Sequence, residues 1–125
     1  MLDDLVLVVD DNPETLQMFE HALTLDGMTV RTAGSVLRAL EALHDGSPRP
    51  AVIVTDLMMP QTTGWDFVKH LRGEAALQSI PIVVITGADP GETAHLADVV
   101  LQKPVAPAQL TETVRALRMS RSTAP

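Results

Sequence analysis

The chain has 125 residues, with 9 Lys and Arg against 16 Asp and Glu for a net charge of −7, 46% hydrophobic residues and no cysteine. That length holds one folded unit with a substantial core, and the absence of thiols excludes disulfides, Cys-type metal centres and thiolate nucleophiles. The acidic balance argues against a domain that grips nucleic acid by itself, and Met1-Leu2-Asp3-Asp4 ahead of a short apolar run is neither a signal peptide nor a membrane span; a soluble, cytoplasmic protein is expected.

The first apolar run, Leu5 to Val9, has strand length and is continuous rather than alternating. Such a strand is covered on both faces, as in a parallel sheet with helices on each side. Asn12-Pro13 supplies a cap and a first-turn proline for a helix in which Leu16, Phe19 and Leu23 recur, stopped at Asp26-Gly27. A weaker strand follows at Thr29 to Ala33. Ser35 caps a second helix with Ala39 and Leu43 inward, ending near Asp45-Gly46. Ala51 to Thr55 reads as the third strand, and the third helix runs from about Gly64 through Trp65, Val68 and Leu71 to Gly73. Ile82 to Ile85 is the fourth strand. The fourth unit is the weak one: Asp89-Pro90-Gly91 uses up the start of a short interval, leaving a brief helix at Glu92 to Ala97 before the strand Val99 to Leu101. The last helix starts near Pro107 and carries Leu110, Val114 and Leu117, while Ser120 to Pro125 reads as a frayed end or the start of a linker. Strand and helix thus alternate five times, which right-handed crossovers fold into a doubly wound α/β sandwich.

Ligands of an open parallel sheet bind outside the carboxyl ends of its strands. Asp10-Asp11 follow the first strand, Asp56 the third, Thr86 the fourth and Lys103-Pro104 the fifth. Three carboxylates at one edge repel unless a cation shares the site. Oxygen ligands without cysteine favour Mg²⁺, which takes one or two carboxylates plus a substrate phosphate oxygen and keeps several waters.

Asp10-Asp11, Asp56-Leu57-Met58-Met59-Pro60 with Gly64 after it, Thr86 and Lys103-Pro104 together resemble the receiver domain of bacterial two-component response regulators. The segment Gly64-Trp65-Asp66-Phe67-Val68-Lys69-His70-Leu71-Arg72 extends the likeness, which covers nearly the whole chain. The resemblance implies a flavodoxin-like strand order 2-1-3-4-5, with a receiver domain over residues 1–119 and a tail over 120–125. It makes Asp56 the phosphoacceptor, attacking the phosphohistidine of a histidine kinase or histidine phosphotransfer protein. Asp11, Asp56 and the backbone carbonyl of Met58 would ligate Mg²⁺, with Asp10 acting largely through water. Lys103 would pair with one phosphoryl oxygen as a point charge, and Thr86 would donate its hydroxyl to another. Met58 and Ala88 resemble positions that tune dephosphorylation, and the Lys-Pro peptide is commonly cis in the family. Such a domain is not a turnover enzyme: it catalyses its own phosphorylation and slow self-dephosphorylation. It signals to an output target by protein contact as a monomer or weak homodimer, without direct contact to nucleic acid or membrane.

Two departures stand out. The aromatic switch position three residues before the lysine is Val100, in a chain without tyrosine, and Leu96-Ala97-Asp98 replaces the usual Gly-Ala before the fifth strand. Val100 and the short fourth unit leave a pseudo-receiver, binding partners without phosphorylation, as the alternative, against which the intact acidic pair, Asp56, Thr86 and Lys103 argue. An aspartyl-phosphate hydrolase of the haloacid dehalogenase kind needs an Asp two residues after its nucleophile, where Met58 stands, and a flavodoxin-type FMN site lacks its Ser/Thr-rich phosphate loop. His21, His44, His70 and His95 fall at no metal-ligand spacing, and Arg115, Arg118 and Arg121 read as a solvated helix terminus complementing the dipole.

Overall fold

A computed structural model describes residues 5–46, 48–57, 64–87 and 95–122. Among them, five strands, β1 (Leu5–Val9), β2 (Thr29–Ala33), β3 (Val52–Asp56), β4 (Ile82–Thr86) and β5 (Val99–Gln102), form one sheet. All neighbours are parallel, in the order β2-β1-β3-β4-β5. Four helices accompany them: α1 (Pro13–Leu25), α2 (Val36–His44), α3 (Gly64–Gly73) and α4 (Pro107–Ser122). The expected doubly wound sheet with order 2-1-3-4-5 is therefore present.

The continuous apolar runs divide by strand alternation into two cores. Leu7, Val9, Ile53, Ile82 and Val84 face Ala39 of α2 and Phe67, Val68 and Leu71 of α3. Val6, Val8, Val52, Val54, Val83 and Ile85 face Phe19 and Leu23 of α1 and Leu110 and Val114 of α4. Each fully buried Val, Leu or Ile contributes roughly 1.5–3 kcal/mol of burial free energy, so this two-sided packing is what holds the strand ends in place. Trp65 packs half-buried against the first of these cores.

Local chemistry sets the helix ends. The Asn12 side chain accepts from the backbone N–H groups of Glu14 and Thr15, and the Ser35 hydroxyl accepts from that of Arg38. At the end of α1, Gly27 takes φ +90°, a region open to glycine. Its N–H donates to Thr24 O while Met28 N–H donates to Leu23 O, a Schellman closure that buries Met28 beside Leu23. The last helix continues to Ser122, three residues into the stretch read as a tail.

Among the described residues, no α-helix stands between β4 and β5. Residues 92–94 of the helix expected over Glu92 to Ala97 lie outside the described residues; His95 and Leu96 carry a 3₁₀ turn. The guanidinium of Arg72, near the end of α3, reaches across this region, donating to the carbonyl oxygens of Leu96, Gln78 and Ile80 at 2.7, 2.9 and 3.0 Å and to Asp98 Oδ1 at 2.7 Å. Asp98 Oδ1 also accepts from Ile82 N–H at 2.8 Å, so one ion pair fixes the entries to β4 and β5. Among the described residues, no helix is long and apolar enough to cross a membrane.

Candidate functional site

The strand order reverses between β1 and β3: the chain moves outward from β1 to β2, then returns to the other side of β1. A crevice opens at the carboxyl ends of those two strands, and the acidic residues lie there. Asp10 follows β1 and is 4% exposed; Asp56 ends β3 and is 3% exposed. Asp11 is exposed beside them. One carboxylate oxygen from each of Asp10, Asp11 and Asp56 lies within 4.8 Å of the others.

Lys103 is carried in from β5. Its backbone N–H donates to Thr86 O at 2.8 Å, and its Nζ donates to Asp56 Oδ2 at 2.9 Å. The Lys103-Pro104 peptide is cis, an isomer that the sequence alone left open. Thr86 is fully buried at the end of β4, one residue beyond Ile85, which pairs with Asp56 across the sheet. The tertiary structure thus brings together Asp10, Asp11, Asp56, Thr86 and Lys103. Met58 and Ala88 lie outside the described residues.

The electrostatics follow from burial and crowding. Desolvation pushes the Asp10 carboxyl above its ordinary pKa; the N–H of Asn12, which donates to Asp10 Oδ1 at 2.9 Å, opposes this, while the Asp56 charge adds to it. Partial burial acts to lower the Lys103 pKa. The Asp56 hydrogen bond and charge, with Asp10 and Asp11 behind them, outweigh it, so the ammonium is held above its usual range. A single ammonium beside three carboxylates leaves an excess of negative charge in a crevice where Asp10 and Asp56 are buried and Asp11 and Lys103 reach solvent. The donor set is oxygen-only, clustered and partly open to solvent, which fits Mg²⁺ with its retained waters. Next to it, an open cleft of about 420 Å³ is bordered by Asp10, Lys103 and the apolar side chains of Met18, Phe19, Ile85 and Val105.

The sequence matches the response regulator receiver domain over residues 6–115. The chain belongs to this family. Among relatives of the receiver domain, response regulator MprA of Mycobacterium ulcerans is 35% identical over 117 residues, covering 90% of this chain and 49% of that protein. The probable transcriptional regulatory protein TcrX of Mycobacterium tuberculosis is 37% identical over 84 residues, 67% of this chain and 34% of that protein. The chain thus spans half or less of the length of these two relatives. Of solved structures, the chemotaxis protein CheY4 of Vibrio cholerae superposes with a TM-score of 0.81 at 32% identity, covering 90% of this chain and 97% of that one. TrrA of Thermotoga maritima, solved in complex with Mg(2+)-BeF, has a TM-score of 0.80 at 23% identity, over 91% of this chain and 98% of that one; this is a likeness of fold.

Two groupings escaped the sequence reading. Contrary to the expectation that no histidine sits at ligand spacing, His44 and His70 converge on Glu74; the His70/Glu74 spacing of four was the one visible signal. The Glu74 carboxylate, then the Leu40 carbonyl, raise the His44 pKa above its ordinary value. Arg115, read as part of a solvated terminus, instead donates through Nε and a terminal nitrogen to both oxygens of Asp26, at 3.0 and 2.6 Å.

Proposed function

We infer that the receiver domain accepts a phosphoryl group on Asp56 with Mg²⁺ and signals through a change of conformation. The observation that carries this reading is the buried Asp56 carboxylate, held at 2.9 Å by Lys103 Nζ in a crevice shared with Asp10 and Asp11. The donor is a phosphohistidine of a histidine kinase or histidine phosphotransfer protein. An Asp56 oxygen attacks phosphorus, the P–O bond forms as the P–N bond breaks, and the imidazole departs with the bonding pair and takes a proton. Asp11 and Asp56, with Asp10 acting largely through water, would hold Mg²⁺, whose charge would offset that of the phosphoryl oxygens at this acidic edge; the solved complex of the fold relative TrrA with Mg(2+)-BeF supports that role.

The chain's own groups do the positioning. Lys103 aligns Asp56 before transfer and then shares its ammonium with a phosphoryl oxygen. Thr86, on the adjoining strand end, donates its hydroxyl to a second oxygen. With a loose transition state, such placement and charge neutralisation supply most of the rate. Because the carboxylate itself carries the product, the domain acts as a cytoplasmic phosphoacceptor, not as an enzyme with turnover. The apolar-walled cleft beside Lys103 supports docking of the protein that presents the phosphohistidine.

The test is intact-protein mass after incubation with Mg²⁺ and acetyl phosphate, alongside Asp56→Asn and a metal-free sample. One phosphoryl adduct that requires both Mg²⁺ and Asp56 is expected. The absence of any adduct, combined with no Mg²⁺ binding, would leave a pseudo-receiver that binds partners without phosphorylation.

A further inference from the structure

The helices run back against the strands, so the ends of α2 and α3 meet at the edge of the sheet opposite the acidic crevice. Three ligand-type side chains converge there. His44 is the last residue of α2, His70 sits in the last turn of α3, and Glu74 follows that helix. His44 Nε2 lies 3.0 and 2.9 Å from the two oxygens of Glu74, and His70 Nε2 lies 3.3 Å from Glu74 Oε1. The two rings stand edge to face at an 84° angle with centroids 6.4 Å apart, so they converge without stacking.

The other nitrogen of His44 decides what this arrangement can hold. Nδ1 is 2.8 Å from the Leu40 carbonyl oxygen, which only accepts, so Nδ1 carries the proton. In the neutral ring Nε2 then presents a lone pair, aimed at two carboxylate oxygens. A second proton would satisfy His44. The neutral Nε2–H tautomer of His70 would complete the hydrogen bonds to the same carboxylate, and a bound cation would replace both protons. One divalent cation serves all three ligands at once. A backbone carbonyl that anchors Nδ1–H and frees Nε2 is also how metal-binding histidines are oriented.

We propose that His44, His70 and Glu74 form a zinc-type transition-metal site that clamps α2 to α3, separate from the Mg²⁺ crevice. Two imidazoles with one carboxylate is a ligand set zinc takes, with a fourth position left to water. Tetrahedral bonds of about 2.1 Å space ligand atoms about 3.4 Å apart; here His44 Nε2 and His70 Nε2 approach the Glu74 carboxylate to 2.9 and 3.3 Å, and one ligand atom from each of the three residues lies within 4.8 Å of the others. The side chains of His44, His70 and Glu74 are 47%, 46% and 30% exposed, so an ion reaches them from solvent. Because the ligands come from two helices, binding stabilises the folded state by mass action.

The experiment titrates the full chain with Zn²⁺ in excess Mg²⁺, which occupies the carboxylate crevice, following heat, melting temperature and the histidine ¹⁵N resonances. One Zn²⁺ per chain, a raised melting temperature and selective shifts of His44 and His70 Nε2 are expected. His44→Ala and His70→Ala should each weaken binding at least about tenfold, while His21→Ala leaves it unchanged. Equal binding by wild type and both alanine variants, no binding, or unmoved His44 and His70 resonances would overturn the site. The resonance measurement uses the wild-type chain, so it decides the question even if a variant folds poorly.

Discussion

Asp10 carries two roles that pull in opposite directions. Its Oδ1 accepts the Asn12 N–H and so helps shape the start of α1, yet its charge is buried next to Asp56 and its pKa is raised by desolvation. An Asp10→Asn variant keeps the acceptor oxygen and removes the charge. It should raise the melting temperature in metal-free buffer by roughly 3–8 °C while weakening Mg²⁺ binding, a trade of stability against function common at such sites. Calorimetry with and without Mg²⁺ checks both halves; a lower melting temperature without metal would contradict the account. Lys103 makes a different prediction. Its ammonium lies 2.9 Å from Asp56 Oδ2, so under the proposed phosphoryl transfer Lys103→Ala should slow adduct formation on Asp56 by roughly 10²–10³-fold, read from the time course of the mass shift.

Among the elements, the segment from the end of α3 to β5 depends most on one side chain. Arg72 satisfies three carbonyl oxygens and Asp98, at the chain that leads into β4 and into β5. Lysine retains the charge but not the planar fork, so most of these acceptors would lose their partner. Arg72→Lys should therefore cost about 2 kcal/mol or more, since hydrogen bonds to charged groups are worth about 1.5–3 kcal/mol each. Urea unfolding measures it, with an unchanged slope expected if the loss is purely one of stability. Val100, at the position where the family often has an aromatic residue, packs half-buried against the core beneath α2 and α3. An aromatic rotamer switch has no residue to act through there.

Across the whole molecule, α1 and α4 cover one face of the sheet and are tied at one end by Arg115 and Asp26. The Arg115 hydrogen bonds hold the Asp26 carboxyl below its ordinary pKa, despite an opposing contribution from desolvation. A carboxylate with a depressed folded-state pKa stabilises fully above its unfolded value, about 3.9, and that contribution is lost as pH falls through the folded value. Wild type should thus melt above Asp26→Asn at neutral pH, with the difference closing below about pH 4. Melting curves between pH 2 and pH 7, on the order of the range where carboxylates titrate, test this; a constant difference would assign the effect to packing instead of charge.

The strands, the helix caps and the gathering of five polar residues at one sheet edge were legible in the sequence because they depend on local patterns. Continuous Val and Ile runs mark strands buried on both faces, Asn12 and Ser35 act on N–H groups two or three residues away, and Asp10, Asp11, Asp56, Thr86 and Lys103 sit at strand ends that a parallel sheet necessarily gathers on one edge. The partners of Arg72 and Arg115, and the meeting of His44 with His70 and Glu74, join residues up to 89 positions apart. No periodicity records such pairs. They arise only when packed helices set the spacing between their ends, and that spacing is a property of the folded core.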